Sequence, residues 1–107
     1  MMRILLILGM LSCSAFAANE TIPKDRIIKE ISVYGDLAVI SFTPSFDNSQ
    51  NCSSGSKVSV QLNLNEDPEG VLYSTILSAA VSGKNIGFGI GGCNGQYPRV
   101  YRVDTKY

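Results

Sequence analysis

The sequence has no histidine and no tryptophan among its 107 residues. Histidine is the usual general base beside a Ser or Cys nucleophile and the commonest zinc ligand, so both kinds of site are excluded in their usual form. The glycine-rich segment at residues 87–92 is predicted to lie within a strand, which does not fit a phosphate-binding loop. The carboxylates of Glu66, Asp67 and Glu69 are explained by helix capping rather than by acid–base catalysis. We therefore predict a protein that is not an enzyme and that binds no metal and no cofactor.

Charge of either sign is also scarce. Only 17% of the residues are charged, nine basic and nine acidic, and the basic residues are scattered along the chain. Nucleic-acid-binding proteins usually present a basic patch, and proteins that bind single strands a basic groove. We therefore expect no nucleic-acid partner.

The chain has no apolar run long enough to span a membrane, which takes about 20 residues. A short apolar run at residues 4–11 follows Arg3 and precedes Ala-Phe-Ala at 15–17. This pattern predicts a secretory signal peptide over residues 1–17. A lipoprotein signal acylated at Cys13 and a buried N-terminal element are the alternatives. We expect an exported protein, either secreted or periplasmic.

Cysteine is rare as well, and Cys52 and Cys93 alone follow the predicted signal peptide. Two cysteines in a small exported domain predict one disulfide bond. It would close a loop of about 42 residues, which the chain-entropy treatment values at roughly 4 kcal/mol of stability. A redox-active pair is the alternative, but the two residues lack the C-x-x-C spacing that activates a thiol.

One helix is predicted over residues 68–82. Asp67 is a suitable N-cap, Pro68 suits the first helical position, and Gly83 suits the left-handed residue that ends a helix. Two rows of apolar residues at i, i+4 spacing predict a broad buried face. The rows are Leu72, Ile76 and Ala80, and beside them Tyr73, Leu77 and Val81.

Five strands are predicted from alternation and β-branched content. They are residues 26–34, 37–43, 57–65, 85–92 and 98–105, with the first two joined as a hairpin through Gly35-Asp36. In the first strand, one face is predicted to carry Ile27, Lys29, Ile31 and Val33. The third strand is predicted to keep Ser59 and Gln61 on a face in water.

The strand at residues 85–92 places Gly87, Gly89 and Gly91 on one face. A glycine face in a strand indicates close approach of another backbone or strong bending. Barrel curvature is the structural interpretation, and a shallow groove for a ligand or a neighbouring subunit is the functional one.

The element order is therefore β-β-β-α-β-β. A mainly β fold with five strands and one helix between the third and fourth is the order of the OB-fold, a small Greek-key barrel. An α+β sandwich with an open sheet is the runner-up. We expect one domain over residues 26–107, preceded by a flexible leader at 18–25.

Two loops are candidates for recognition. The segment at residues 44–56 is long for a loop without secondary structure of its own. Its length indicates either a function in binding or an anchoring role for Cys52. After Cys93, four residues combine amides, a flexible glycine and an aromatic ring, a mixture that binds sugars and also makes ordinary turns. These candidate ligand-binding residues are Asn94, Gly95, Gln96 and Tyr97.

The segment from Leu72 to Val100 resembles the Shiga toxin B subunit. The run 76–83 (ILSAAVSG) is similar to the end of that family's helix, and a strand, Cys93, Asn94-Gly95 and the aromatic Tyr97 follow in the same order. The resemblance implies a secreted, disulfide-bonded OB-fold that forms a pentameric ring and binds cell-surface glycolipid, with Gly95 and Tyr97 at positions that would contact the sugar. The partner of Cys93 differs, because the family's other cysteine lies near the mature N-terminus.

Two functions are therefore expected. The first is a glycan-binding module, which would be a homo-oligomer if it assembles like the toxin B subunits. The second is an exported protein-interaction domain, an inhibitor or accessory factor that uses the loop at residues 44–56 or the glycine face.

Overall fold

The computed structural model describes residues 18–106. The predicted signal peptide and Cys13 lie outside these described residues. The strands are β1 (Glu20–Tyr34), β2 (Leu37–Thr43), β3 (Ser59–Asn63), β4 (Ile86–Asn94) and β5 (Tyr97–Thr105). The helix α1 (Val71–Ser82) lies between β3 and β4, after two short 3-10 turns at Leu64–Glu66 and Pro68–Gly70. The predicted element order is confirmed.

The five strands form one sheet that closes in a ring in the order β1-β2-β3-β5-β4. Closure depends on β1, which pairs with β2 on one side and with β4 on the other. Neighbouring strands are antiparallel except β3 and β5, which run parallel with Gln61 opposite Arg99. The fold is therefore mainly β, and its closed ring differs from the open sheet of the runner-up architecture.

The first strand begins at Glu20, inside the segment that was expected to be a leader. Glu20 lies opposite Ile90 and Ile22 lies opposite Phe88 on β4, and Ile22 is fully buried. The pairing is irregular between Ile22 and Arg26, so residues 23–25 interrupt the alternation that marks a strand. Because of this irregularity, the alternation of apolar and polar residues does not predict the first part of β1.

A second irregularity corrects the faces of β1. The register shifts between Ile28 and Glu30, after which Ile31 lies opposite Ile40. Ile28 and Ile31 consequently both pack against the core, whereas the alternation predicted Ile31 beside Ile27. One extra residue in a strand reverses the faces of those that follow.

The core fills the inside of the ring and the space beneath α1. Phe88 stacks on Phe42 with ring centroids 5.4 Å apart, and Phe46 from the following loop lies 5.7 Å from Phe42. The aliphatic members come from all five strands and from α1. They are Ile22, Ala38, Ile40, Val60, Leu62, Ile76, Ala79, Ile86, Ile90 and Val100.

The polar face of β3 is buried, which the alternation did not predict. Val60 and Leu62 are buried as expected, but Ser59 and Gln61 are also only 8% and 7% exposed. Ser59 lies opposite Ser41 on β2, and Gln61 lies opposite Arg99 on β5. The Ser59 hydroxyl is paired with that of Ser41 on β2 at 3.0 Å.

The helix begins three residues after its predicted start. Glu69 and Gly70 have positive φ values of 63° and 69°, so the chain makes a turn before α1 begins at Val71. Asp67 nevertheless caps the helix, since its carboxylate accepts from the backbone N–H groups of Leu72 and Tyr73, each at 2.9 Å. Gly83 ends the helix in the left-handed conformation, as predicted.

Only part of the predicted apolar face of α1 is buried. Ile76 and Ala79 are in the core, with Leu72 and Tyr73 packed against it. Leu77 and Val81 are 42% and 80% exposed. Among residues 18–106, no helix has the length and the apolar character needed to cross a lipid bilayer.

Candidate functional site

The four candidate ligand-binding residues lie together at the turn between β4 and β5. Asn94 is the last residue of β4 and Tyr97 the first of β5, and the two face each other in the sheet register. Gly95 makes the reversal possible with a φ of 56°, a value that other residues adopt at a cost. We call these four residues, Asn94 to Tyr97, the β4–β5 turn.

The predicted disulfide joins the long loop between β2 and β3 to this turn. Cys52 and Cys93 are bonded with a Cα–Cα distance of 5.8 Å. The two segments make a further contact two residues after Cys52 and three after Cys93, since the backbone N–H of Ser54 donates to the carbonyl of Gln96 at 2.9 Å. The β4–β5 turn is thus held at its base by a covalent bond and at its tip by a hydrogen bond.

Gln50 links the long loop to Gly92 of β4 and to Ala18, a role that the sequence did not indicate. Its side chain is buried, and its amide oxygen accepts from the backbone N–H of Gly92 at 2.9 Å while its Nε2 donates to the carbonyl of Ala18 at 2.9 Å. A glutamine in a serine- and asparagine-rich loop carries no pattern that distinguishes it from its solvated neighbours. The hydrogen bond from Gly92 to Gln50 depends on the position of the long loop beside β4, which the residues around Gln50 do not determine.

The four turn residues differ in how much of their polar surface a ligand can reach. Gly95 and Gln96 are exposed, whereas Asn94 and Tyr97 are half-buried. The Nδ2 of Asn94 is enclosed and has no hydrogen-bond partner among the described residues. Gln96, the backbone of Gly95 and the open side of the Tyr97 ring are therefore the groups that could contact a ligand directly.

The long loop at residues 44–58 is anchored from several sides rather than free. Its start is fixed by Phe46, whose backbone N–H donates to the carbonyl of Lys57 at 2.8 Å. Its middle is fixed by Asn48, whose Nδ2 donates to the carbonyl of Ser56 at 2.6 Å, and by Ser49, which donates to the carboxylate of Glu20. The long loop and the β4–β5 turn together form one polar surface with little freedom to rearrange.

The glycine face of β4 is covered by the chain itself. A Cβ on Gly87 would lie 2.5 Å from the carbonyl oxygen of Ile22 and 2.9 Å from the backbone of Pro23 and Lys24. Arg102 lies over Gly89, and Asn19 lies over Gly91. Gly87 therefore admits close approach of the first strand, whereas Gly89 and Gly91 are covered by side chains of the protein. The shallow groove expected for a ligand or a subunit is occupied by the chain itself.

Arg99, the charged residue nearest to the β4–β5 turn in the sequence, is engaged with another part of the protein. On β5, Arg99 Nε donates to the carboxylate of Glu66 at 3.0 Å. The turn itself offers amide, hydroxyl and aromatic groups and no ionised side chain. Such a surface can hydrogen-bond and stack against a neutral polar ligand, which is the chemistry of sugar recognition.

Comparisons with protein-family models, with curated proteins and with solved structures find no match for this chain. The resemblance to the Shiga toxin B subunit therefore stays a prediction.

Proposed function

We propose that this protein is a non-enzymatic binding module of the exported class, secreted or periplasmic, that recognises glycans through the β4–β5 turn. The observation that carries the proposal is the double attachment of that turn, by the disulfide of Cys93 and by the bond from Ser54 to Gln96. A surface fixed before binding loses little conformational entropy when a ligand is bound. The disulfide also agrees with an oxidising compartment.

The strand order supports an OB-fold as the finer description. A five-stranded ring in which β1 pairs with β2 and β4, and β3 runs parallel to β5, is compatible with that Greek-key barrel. In OB-folds the loop between the fourth and fifth strands is one of those that bind oligosaccharides. The β4–β5 turn occupies that position here.

A glycan array with the wild type and two tyrosine variants tests the proposal. Tyr97→Ala removes the ring of the β4–β5 turn, and Tyr34→Ala removes a ring that is 61% exposed at the far end of β1. Loss of an aromatic stacking contact of about 1 kcal/mol or more, together with its buried area, predicts roughly tenfold weaker binding for Tyr97→Ala. Tyr34→Ala should bind as the wild type does. A blank array for the wild type, or equal losses in both variants, would refute the proposal.

The toxin-like form of the proposal adds a homo-oligomer. Light scattering under non-reducing conditions would give about 50 kDa for a pentamer of chains slightly smaller than the 11.5 kDa of the full sequence. A monomer near 10 kDa would remove the ring from the proposal and leave the binding module.

A second candidate function, an exported protein-interaction domain, is favoured by the outer face of α1. Val71, Leu77 and Val81 are 59%, 42% and 80% exposed, a concentration of apolar side chains on one short helix. Double substitution Leu77→Ser/Val81→Ser should abolish a protein contact made through this face, whereas Tyr97→Ala should leave it intact. The reverse result would place the recognition surface at the β4–β5 turn.

A further inference from the structure

One buried polar side chain of the sheet has no partner within the described part of the protein. Gln61 of β3 is 7% exposed, yet its amide makes no hydrogen bond to any residue between 18 and 106. The enclosed atoms without a partner among these residues are Nε of Arg26, Oδ1 of Asn48 and Nδ2 of Asn94, so both polar atoms of Gln61 reach the surface. Since polar groups in buried residues are usually hydrogen-bonded, this amide is available to a ligand.

Gln61 points away from the core and lies on the outer face of the sheet. It alternates along β3 with Val60 and Leu62, which are both in the core. Its neighbour on β2 is Val39, and its neighbour on β5 is Arg99. The amide therefore lies on a surface built by β2, β3 and β5.

The same outer face carries Tyr97 of the β4–β5 turn. Pro98 and Val100 of β5 are buried, so Tyr97 and Arg99 alternate with them and point outward. Since Gln61 lies opposite Arg99, the Cα atoms of Tyr97 and Gln61 are separated by two residues along one strand and by one strand spacing across the sheet. This separation amounts to about 8 Å, which is shorter than a disaccharide.

Arg99, the residue opposite Gln61 on this face, has its charge balanced by Glu66. Its Nε donates to the Glu66 carboxylate at 3.0 Å, and its Nη1 donates to the carbonyl of Gly91 at 3.4 Å. Its Nη2 makes no hydrogen bond to another described residue and remains able to donate. A paired charge beside open amide and guanidinium donors suits the hydroxyl groups of a neutral sugar.

We propose that Gln61 contacts a second sugar ring of a glycan whose first ring is bound at Tyr97. The proposal rests on the glycan-binding function proposed for the β4–β5 turn and extends that site onto β3. The amide of Gln61 supplies one acceptor and two donors, which are enough to contact two neighbouring hydroxyl groups of the second ring. The minimal ligand of this protein is therefore a neutral disaccharide rather than a single sugar.

An array of neutral monosaccharides, and of the disaccharides built from them, tests the contact with the second ring. We expect the wild type to bind a disaccharide roughly three- to tenfold more tightly than either of its monosaccharides, as a hydrogen bond to the second ring would give. Gln61→Met keeps the length of the side chain and removes the amide. This variant should bind disaccharides only as tightly as monosaccharides, and its binding of monosaccharides should be unchanged.

Two further variants separate this result from a loss of the turn and from a general effect on the sheet. Tyr97→Ala should weaken the binding of mono- and disaccharides together, because the first ring loses its contact. Ser32→Ala removes a hydroxyl group from β1 opposite Val39, two strands away from Gln61 on the same face. It should bind both kinds of sugar as the wild type does.

Thermal unfolding measures whether Gln61 contributes to the stability of the fold instead. Because its amide has no partner among residues 18–106, Gln61→Met should melt at or above the temperature of the wild type. Ser59→Ala is the matched contrast on β3: the Ser59 hydroxyl is paired with that of Ser41 at 3.0 Å, so this variant should melt below the wild type. A lower melting temperature for Gln61→Met would assign Gln61 to folding stability and overturn the proposal.

The outcomes on the array distinguish this proposal from the function on which it rests. If Tyr97→Ala loses binding while Gln61→Met binds every disaccharide as the wild type does, the contact with the second ring is refuted and the turn remains the glycan site. Equal binding of mono- and disaccharides by the wild type, or equal losses of both in Gln61→Met, would also refute a separate contact with the second ring. A wild type that binds no sugar on the array would refute both proposals.

Discussion

The glycines of β4 offer the sharpest test of how this sheet is packed. Replacing Gly87 with alanine adds a Cβ that would lie 2.5 Å from the carbonyl oxygen of Ile22 and 2.9 Å from main-chain atoms of Pro23 and Lys24. These are backbone atoms of the irregular part of β1, which cannot turn aside as the end of a side chain can. The substitution should therefore displace β1 from β4 at the point where the ring closes.

The magnitude follows from two opposing terms. Forcing an extra methyl group into a packed region costs about 1–3 kcal/mol. Replacing glycine in a strand returns about 0.4–1 kcal/mol by restricting the unfolded chain. Because the obstruction at Gly87 is main chain, the cost should lie at the upper end, and Gly87→Ala should lower the free energy of unfolding by about 2 kcal/mol.

Two other glycines on the same face provide matched controls. At Gly91 the added Cβ meets the side-chain oxygen of Asn19 at 2.3 Å, and this exposed side chain can rotate away. At Gly89 the nearest atoms belong to Arg102, whose guanidinium can move but whose Cβ, at 3.0 Å, must yield by a few tenths of an ångström. Gly91→Ala should therefore be nearly neutral and Gly89→Ala intermediate.

Urea unfolding of the oxidised variants measures these differences. With a denaturant slope near 1 kcal/mol per molar for a domain of this size, Gly87→Ala should lower the midpoint by about 2 M. Gly91→Ala should shift it by less than about 0.5 M. If all three variants fall within about 0.3 kcal/mol of one another, close approach of β1 is not the reason for the glycine face.

Two further changes test the anchors of the fold. Cys52→Ala/Cys93→Ala should lower the free energy of unfolding by roughly 4 kcal/mol, and the reduced wild type should unfold at a similar midpoint; a loss below about 1 kcal/mol would contradict the chain-entropy account. Asp67→Ala should cost about 1–2 kcal/mol, because two helix N–H groups lose their acceptor, while Asp47→Ala at an exposed loop position should be neutral. Equal midpoints for these two aspartate variants would show that the cap contributes nothing.

Short-range sequence patterns were sufficient to predict the elements that are determined by neighbouring residues. The i, i+4 pattern, Asp67 and Gly83 together predict α1 to within three residues at its start. Alternation predicts β2 and the buried side of β3, and cysteine counting predicts the disulfide because only one pairing was available. Each of these signals is contained in a few neighbouring residues.

Long-range pairing explains what the sequence did not reveal. Residues 20–25 read as a leader because Pro23, Lys24 and Asp25 interrupt the alternation, yet β4 provides a partner for their strand. The shift after Ile28 is likewise invisible in a pattern that looks regular. Burial of Gln61 depends on β5, which lies almost forty residues later in the chain.

The candidate site at the β4–β5 turn shows the same division between local and long-range signals. Its composition is visible in the sequence, because Cys93 and the residues after it form a continuous segment. The hydrogen bonds that link Gln50 to Gly92 and Ala18 are not, because they join segments far apart in the chain.

The disulfide lies at one end of β5, and its removal should act mainly on that end. β5 begins in the β4–β5 turn, and its nine residues span about 30 Å. Since Cys93 lies next to the turn, a folded Cys52→Ala/Cys93→Ala protein should lose glycan affinity at the turn, where the bond provided order, while the amide shifts of α1 stay close to those of the wild type. Amide spectra of that variant at low denaturant establish that it is folded before the ligand is added. Shift changes that extend through α1 would mean that the disulfide orders the whole domain rather than the turn.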